Sequence, residues 1–321
     1  MAYSTGKGNL LMADRMINID SVCAIVVTYN PNIEELKENM ESVVHQVGGI
    51  CIVDNSTDAS LQEKLLAFQD NKKFHVLSNK GNYGIAFAQN IGMKWALDKG
   101  YEAFFQLDQD SKLMEDTVLK LVNEYNFLLS QDKKIACIGP LAFDRDKSED
   151  DVYHNYNSTN ERIIKVPQTL SSGSLIPKDA FIGIGGMEED LFIDLVDYEW
   201  CWRAEKQGYS TYVTNDVKMA HRLGEDRYHF LGKSIGVPSP IRHYYQFRNT
   251  LEMLKRSYVP LNFKVKYIPI LLFKFFFFSL FVKPRAVRFR MMVKGTMDAL
   301  RGVKGNINGD RPGIVRIQSH E

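Results

Sequence analysis

The chain has 321 residues, of which 45% are hydrophobic and 25% are charged, and this composition is typical of a globular protein. It excludes an acidic disordered chain, a collagen-like repeat and a disulfide scaffold. The length predicts one large α/β domain with an appendage, or two domains. The four cysteines include no C-x-x-C pair, which argues against a zinc knuckle or a redox motif. No segment near the start resembles a secretory signal, so we expect a reduced, cytoplasmic setting.

The net charge of +1 hides an uneven distribution along the chain. Residues 242–304 contain 14 Lys and Arg against two acidic residues, whereas residues 1–241 contain 24 basic and 35 acidic residues. An acidic body with a basic tail predicts a negatively charged partner for the tail. Within the tail, the 15-residue apolar run at 268–282 is interrupted by Pro269 and Lys274, and it is too short to predict a membrane span.

In chain order, short apolar runs alternate with helical patterns over the first third of the sequence. The predicted strands are Val22–Thr28, Gly49–Val53, Phe74–Leu77 and Ala103–Leu107. The predicted helices begin after Asn32, which has the spacing of a capping box with Glu35, and after Gly84, with the second helix ending at Gly100. This β-α-β-α order predicts a mostly parallel sheet with helices on both faces.

Polar clusters follow three of these strands, at residues 28–31, 54–56 and 108–110. Asp and Asn at one strand end would be ordinary turn residues. In an open α/β sheet, however, ligands bind outside the carboxyl ends of the strands. Three such clusters therefore predict a ligand site at one edge of the sheet.

Six motifs, in their order and spacing, resemble those of the inverting nucleotide-sugar glycosyltransferases of family 2. They are Thr28–Pro31, Val53–Ser56, the N-x-G-x-x-G of Asn79–Gly84, the D-x-D of Asp108–Asp110, Phe192–Arg203 and His221–Arg222. The resemblance covers about residues 20–250, and it is greatest with bacterial rhamnosyltransferases that build surface polysaccharides. No Q-x-x-R-W segment of the processive synthases is present, so we expect one sugar to be added per binding event.

The resemblance implies a Rossmann-like GT-A fold, which is α/β, followed by a helical, membrane-associating tail. We expect an N-terminal extension at 1–20, a catalytic domain at 21–250 and a basic amphipathic tail at 251–321. The nucleotide-binding half of the catalytic domain would span about 21–110, and the acceptor-binding half about 111–250.

Asp108 and Asp110 follow a predicted strand and offer the hard oxygen ligands that suit Mg²⁺ or Mn²⁺. Negative charge builds on a departing diphosphate, and a cation would stabilise it. A lone D-x-D is more often a solvated turn, but the preceding strand and the other strand-end clusters favour a site. The resemblance implies that Asp110 contacts the metal most directly, that His221 completes the metal shell and that Arg222 meets the phosphates.

The nucleotide-sugar donor is expected at the strand ends. The residues predicted to contact it are Thr28, Tyr29, Asn30, Asp54, Asn79, Gly84, Asp108 and Arg222. The Asp54 carboxylate would accept a hydrogen bond from N3–H of uracil or thymine and reject cytosine. A turn or helix N-cap is the alternative role for Asp54. The glycines match neither the dinucleotide-binding motif nor the P-loop.

A helix is predicted from about Val196 to Gln207, with Asp197 in its first turn. The helix dipole there would keep the carboxylate anionic, and aromatic neighbours would strengthen its basicity, as a general base requires. The resemblance places Asp197 at the catalytic aspartate. Two alternatives stay open: Asp197 is only an N-terminal capping charge, or Glu199 is the base, since Val196 stands where the family usually has Glu.

The basic, aromatic tail predicts an enzyme that is peripheral on the inner face of the cell membrane, bound to anionic lipid. The side chains predicted to enter the lipid are Phe273, Phe276, Phe277 and Leu280. Those predicted to reach the headgroups are Lys274, Lys283, Arg285, Arg288 and Arg290. No nucleic-acid recognition motif is present.

The function that the resemblance implies is transfer of L-rhamnose from dTDP-L-rhamnose to a lipid-linked saccharide. The alternatives are a UDP-sugar donor, or a non-catalytic scaffold that binds glycan or nucleotide.

Overall fold

The computed structural model describes residues 15–144, 161–221, 226–230 and 233–309. The strands among them are β1 (Val22–Thr28), β2 (Gly49–Asp54), β3 (Phe74–Ser78), β4 (Ala103–Asp108), β5 (Ile135–Asp144), β6 (Ile163–Val166), β7 (Leu175–Pro177), β8 (Ser210–His221), β9 (Asp226–Phe230) and β10 (Lys233–Val237). The α-helices among them are α1 (Ile33–Val44), α2 (Ala59–Leu66), α3 (Ile85–Asp98), α4 (Thr117–Ser130), α5 (Lys178–Ile184), α6 (Val196–Lys206), α7 (Pro240–Lys255), α8 (Leu261–Leu280) and α9 (Arg285–Arg301).

In the described part of the chain, eight strands form one sheet in the order β3-β2-β1-β4-β7-β5-β8-β6, and β9 pairs with β10 apart from it. The β2–β3, β1–β2, β1–β4 and β5–β8 pairs are parallel. Strand β7 runs antiparallel to β4 and β5, and β6 runs antiparallel to β8. The sheet is mostly parallel, as predicted. The antiparallel β7 was not predicted, because a strand of three residues leaves no periodic pattern.

Local sequence explains where the first elements begin and end. All residues of β2 are buried, as expected for a central strand covered on both faces. The Asn32 side chain accepts hydrogen bonds from the backbone N–H groups of Glu34 and Glu35, which confirms the predicted N-cap of α1. Helix α3 ends before Gly100, which has a positive φ of 86°.

Helices cover both faces of the sheet. One apolar cluster includes Leu36 and Met40 of α1 and Leu121 of α4. The cluster on the other face includes Met93 of α3 and Trp200 of α6. This arrangement confirms the α/β fold class that the sequence predicts.

The tail is helical and packs on α7. A third apolar cluster joins Phe247 of α7, Phe278 of α8 and Met292 of α9. At the crossing of α7 and α9, a Cβ on Gly295 would lie 2.3 Å from the Tyr244 carbonyl oxygen, so the two backbones are in contact there. None of the helices that the structure describes is long and apolar enough to cross a membrane.

Three tail residues pack against the protein, whereas the sequence predicted that they contact the membrane. Arg288 is only 5% exposed and donates a hydrogen bond to the Pro238 carbonyl at 2.6 Å. Phe277 is only 3% exposed and lies in the third apolar cluster. Lys274 donates a hydrogen bond to Gln246 Oε1 at 3.0 Å, and burial lowers the pKa of its ammonium group. The composition of a continuous apolar run does not reveal which face of its helix packs inward.

Replacing Gly295 with alanine tests the α7–α9 crossing. Helix propensity alone would favour alanine by about 1 kcal/mol. The added Cβ would nevertheless overlap a backbone oxygen, so we expect the free energy of unfolding to fall by about 1–3 kcal/mol. Urea denaturation measures the change, with Arg290→Ala on the exposed side of α9 as the control. A stability gain in Gly295→Ala would show that the helices do not cross in contact.

Candidate active site

The structure brings the three predicted strand-end clusters together. In the sheet register Thr28 lies opposite Asp54, and Val27 lies opposite Asp108. Each of Thr28, Asp54 and Asp108 is the last residue of its strand. The carboxyl ends of β1, β2 and β4 therefore form one polar edge, as the parallel order predicts.

Asp54 is fully buried at this edge. Its Oδ1 accepts hydrogen bonds from Thr28 Oγ1 at 2.8 Å and from Ser56 Oγ at 2.7 Å. Its Oδ2 is buried and has no hydrogen-bond partner among the residues that the structure describes. The helix that follows is capped by Asp58 instead, which excludes the N-cap role for Asp54. A buried, unpartnered carboxylate oxygen is costly unless a ligand donates to it.

The loop after β1 is tied to both neighbouring loops. The Tyr29 N–H donates to Gln109 Oε1 at 2.8 Å, and the Asn30 N–H donates to Ser56 Oγ at 2.7 Å. The Tyr29 side chain is half exposed, so its ring is available to a ligand. Gln109, the middle residue of the D-x-D, thus fixes the loop, a role that the motif itself does not suggest.

Asn79 and Gly84 serve contacts within the protein. The Asn79 side chain donates to Asn55 Oδ1 at 2.9 Å, and the Asn55 side chain donates to the Gly84 carbonyl at 3.1 Å. Gly84 has a φ of 91°, and a Cβ there would lie 2.5 Å from the Phe192 carbonyl oxygen. The glycine therefore permits close approach of the Phe192 loop, and contact of Asn79 or Gly84 with a donor stays a prediction.

Asp108 and Asp110 differ in their surroundings. The Asp108 N–H donates to Ser172 Oγ at 3.2 Å, and the residue is partly buried. Asp110 is exposed and forms no ion pair with any residue that the structure describes. His221 ends β8, and its part in a metal shell stays a prediction, while Arg222 lies outside the described residues. The described residues contain no cluster of three or more metal-ligating side chains.

Asp197 lies in the first turn of α6, which begins at Val196 as predicted. Its Oδ1 accepts a hydrogen bond from the Tyr198 N–H at 2.9 Å. Burial of the carboxyl group raises its pKa to about 6, against the lowering effect of backbone donors that include Ser171. The negative charge of Asp108 raises the pKa further, which brings the base candidate and the D-x-D into one electrostatic site.

A turn that the sequence analysis missed joins these two carboxylates. Ser171 donates from its backbone to Asp197, and Ser172 accepts from the backbone of Asp108 and bonds to Ser111 Oγ at 3.0 Å. The Ser and Gly residues at 171–173 are typical of a turn, but they do not by themselves predict a site.

Glu199 is fully buried and occupied by other groups. Arg203 Nε donates to its Oε1 at 2.9 Å, and the Tyr258 hydroxyl donates to the same oxygen at 2.7 Å. Arg256 adds a second cation at 3.3 Å. Because Arg203, Arg256 and Tyr258 already occupy this carboxylate, it is not available to an acceptor hydroxyl, so the geometry favours Asp197 over Glu199 as the base.

The segment before α6 has an unusual backbone. Phe192, Asp194 and Leu195 all have φ between 65° and 67°. Arg248 donates to the carbonyls of Asp190 and Leu191, and Asn249 donates to the carbonyls of Leu191, Ile193 and Asp194. These buried donors compensate for the strained conformation and fix the entry to the helix that carries Asp197.

Comparison with known proteins shows the family of the chain. Residues 23–182 match the family described as "Glycosyl transferase family 2". The chain is 33% identical to the dTDP-rhamnosyl transferase RfbF of Shigella flexneri over 306 residues, which cover 91% of this chain and 98% of RfbF. The chain belongs to glycosyl transferase family 2. It is a glycosyltransferase, as the motifs predict.

Solved structures show the same fold for this family 2 enzyme. The mannosyltransferase PcManGT from Pyrobaculum calidifontis, in complex with GDP-Man and Mn²⁺, superposes with a TM-score of 0.53 at 16% identity, covering 92% of this chain and 83% of that chain. Residues 1–349 of S. aureus TarS superpose with a TM-score of 0.52 at 18% identity, covering 87% and 80%. The predicted GT-A fold is confirmed.

The raised pKa of Asp197 predicts a stability cost at neutral pH. Folding disfavours the ionised carboxylate, so stability is lost as the pH rises from the ordinary Asp pKa through about 6. Asp197→Asn should therefore raise the free energy of unfolding at pH 8 by about 1–3 kcal/mol, with a smaller gain at pH 4.5. Denaturant titrations at both pH values test this, with exposed Asp98→Asn as the control. If Asp197 were only an N-terminal capping charge, Asp197→Asn would instead lower the free energy of unfolding.

Proposed function

We propose that this glycosyltransferase transfers L-rhamnose from dTDP-L-rhamnose to a lipid-linked saccharide, with inversion at the anomeric carbon. The observation that carries the proposal is that the adjacent residues Ser171 and Ser172 bond to Asp197 and to the Asp108 N–H, which places both aspartates at one turn beside the carboxyl edge of the sheet. It puts a basic carboxylate beside the strand end where a diphosphate would leave. The choice of donor is supported by the likeness to RfbF, which is named a dTDP-rhamnosyl transferase.

The nucleobase would be recognised by Asp54. Its unpartnered Oδ2 is an acceptor that N3–H of thymine or uracil can satisfy, whereas N3 of cytosine is itself an acceptor. Since this oxygen is buried, the nucleobase must displace neighbouring atoms to reach it. The exposed ring of Tyr29 would lie against the nucleoside.

A divalent cation fits the residues at the end of β4. Asp108 and Asp110 would supply one or two carboxylate ligands, with phosphate oxygens completing the shell, as is usual for Mg²⁺ bound with a nucleotide substrate. Burial is the main cause of the raised pKa of Asp197, and the negative charge of Asp108 adds to it; a cation held by Asp108 would offset this added negative charge. When bound, the cation stabilises the charge on the diphosphate.

Asp197 would act as the general base. Its carboxylate takes the proton of the acceptor hydroxyl while that oxygen attacks the anomeric carbon. The bond between this carbon and the diphosphate oxygen breaks on the opposite face, and its electron pair leaves with the diphosphate. A single displacement of this kind inverts the anomeric centre.

A donor panel tests the function. We expect the protein to hydrolyse dTDP-L-rhamnose slowly, and to transfer rhamnose to alkyl glycosides, with UDP-sugars used less well and GDP-sugars not used. Nucleotide release and mass spectrometry of the products measure both reactions. Productive use of a GDP-sugar alone would contradict recognition of thymine or uracil by Asp54. Donor binding without any turnover would favour a non-catalytic scaffold.

Asp110→Asn tests the metal. If Asp110 holds the cation, the variant should lose at least 100-fold in transfer, roughly the value of a principal charge-stabilising group. Its melting temperature should stay unchanged, since Asp110 is exposed. Chelation of divalent ions should reduce wild-type activity similarly, and added Mn²⁺ should restore it. Full activity of Asp110→Asn in chelator would contradict the role.

We further propose that α8 docks on the anionic face of a membrane, where a lipid-linked acceptor is found. Its outward side chains recur every three or four residues and are 50–73% exposed: Leu261, Val265, Ile268, Leu272, Phe276 and Leu280. Lys266, Lys283, Arg285 and Arg290 are exposed nearby. An apolar stripe beside basic residues fits insertion into an interface with anionic headgroups.

The double variant Leu272→Ser/Phe276→Ser tests the docking face. We expect it to co-float with vesicles containing anionic lipid at least tenfold less than wild type, because two inserted apolar side chains are lost. Leu66→Ser, on exposed α2, is the matched control and should bind like wild type. Salt should weaken wild-type binding through screening. If the double variant and wild type co-float equally, α8 is not the docking face.

A further inference from the structure

The inner face of α8 lies over the helix that carries Asp197. Phe263 of α8 packs edge-on against Trp202 of α6, with ring centroids 4.6 Å apart. Tyr267, one turn further along α8, stacks on Phe263 at 3.9 Å. Trp202 in turn contacts Tyr198, the residue after Asp197, at 5.8 Å. A continuous aromatic cluster therefore connects the tail to the position of the base.

Tyr267 is the member of this cluster that α8 brings near Asp197. Burial raises the pKa of its hydroxyl, and the negative charge of Asp197 raises it further. The side chain is partly exposed, and its hydroxyl makes no hydrogen bond with the residues that the structure describes. By contrast, the Tyr258 hydroxyl is occupied by Glu199. The Tyr267 hydroxyl thus remains able to bond to a ligand beside the base.

An aromatic ring with a polar tip suits a sugar. The ring packs against the apolar C–H face of a pyranose, while the hydroxyl donates to or accepts from a sugar hydroxyl. The diphosphate and nucleoside are expected at the ends of β1, β2 and β4, and the base acts on the acceptor. Because the acceptor hydroxyl must reach Asp197 to lose its proton, the acceptor sugar lies on the Asp197 side of the site.

Given the proposed function, we infer that Tyr267 binds the acceptor sugar and orients its attacking hydroxyl toward Asp197. The acceptor subsite is then completed by the tail helix rather than by the catalytic sheet alone. The same helix presents its apolar stripe outward. A saccharide whose lipid is held at that outer surface would enter the site along the inner surface of α8.

The test compares Tyr267→Phe and Tyr267→Ala with Tyr101→Phe, a hydroxyl deletion beside Gly49 at the opposite ends of the strands. The probes are octyl rhamnoside, octyl glucoside and octyl N-acetylglucosaminide, with dTDP-L-rhamnose and Mg²⁺. In Tyr267→Phe we expect the acceptor KM to rise about tenfold, as for one lost hydrogen bond. Tyr267→Ala should raise it more, because the ring contact is also lost. Donor hydrolysis without acceptor and donor KM should match wild type.

Two results would overturn the inference. An unchanged acceptor KM in both Tyr267 variants means that the side chain does not touch the acceptor. An equal loss in donor hydrolysis and transfer, or a shifted acid limb of the pH profile without a change in acceptor KM, means that Tyr267 acts through Asp197. If wild type turns over none of the nucleotide-sugars, the proposed function fails, and this inference falls with it. Donor hydrolysis by the wild type therefore distinguishes failure of the inference about Tyr267 from failure of the proposed function.

Discussion

The site depends on the hydrogen bonds that Arg248 and Asn249 make to the carbonyl groups of residues 190–194. These donors are buried, and the segment that they hold adopts positive φ at three residues that are not glycine. Such a backbone persists only where its surroundings over-determine it. The segment leads directly into α6, so its position sets that of Asp197. It also contacts Gly84, where only a glycine leaves room for Phe192. One set of polar contacts therefore couples α7, the base candidate and the loop before α3.

Electrostatics at the strand ends follow from this placement. Asp197 would be an ordinary acidic side chain on an exposed helix. Here it is buried near Asp108, and its pKa rises to about 6. The protein thus keeps a carboxylate that accepts protons readily, at a cost in stability that neutral asparagine would avoid. Glu199, only two residues further along, is neutralised by Arg203 and Arg256 and stabilises the fold instead. Two neighbouring carboxylates acquire different roles because their partners differ.

Helix α8 of the tail has two faces that differ in their surroundings. Inward residues of α8 such as Phe263 and Phe278 pack into apolar clusters of the protein. The outward stripe keeps apolar side chains in contact with solvent, which soluble surfaces usually avoid over so long a helix. Part of the basic charge that the sequence places in this region is used internally: Lys294 pairs with Asp298, and Lys304 pairs with Asp190. The exposed remainder lies near the apolar stripe.

The sequence by itself determined the first four strands, the cap at Asn32, the start of α6 and the placement of Asp54 and Asp108 at one edge of the sheet. Those features depend on short-range spacing and on the rule that parallel strands end together. Only the tertiary structure decided the insertion of β7, the role of Ser172, the pairing of Glu199 and the orientation of Phe277 and Lys274. These depend on contacts between residues far apart in the chain, and the side of a helix that becomes buried is set by what packs against it. The raised pKa of Asp197 likewise arises from burial and from a charge nearly 90 positions away, which no local pattern encodes.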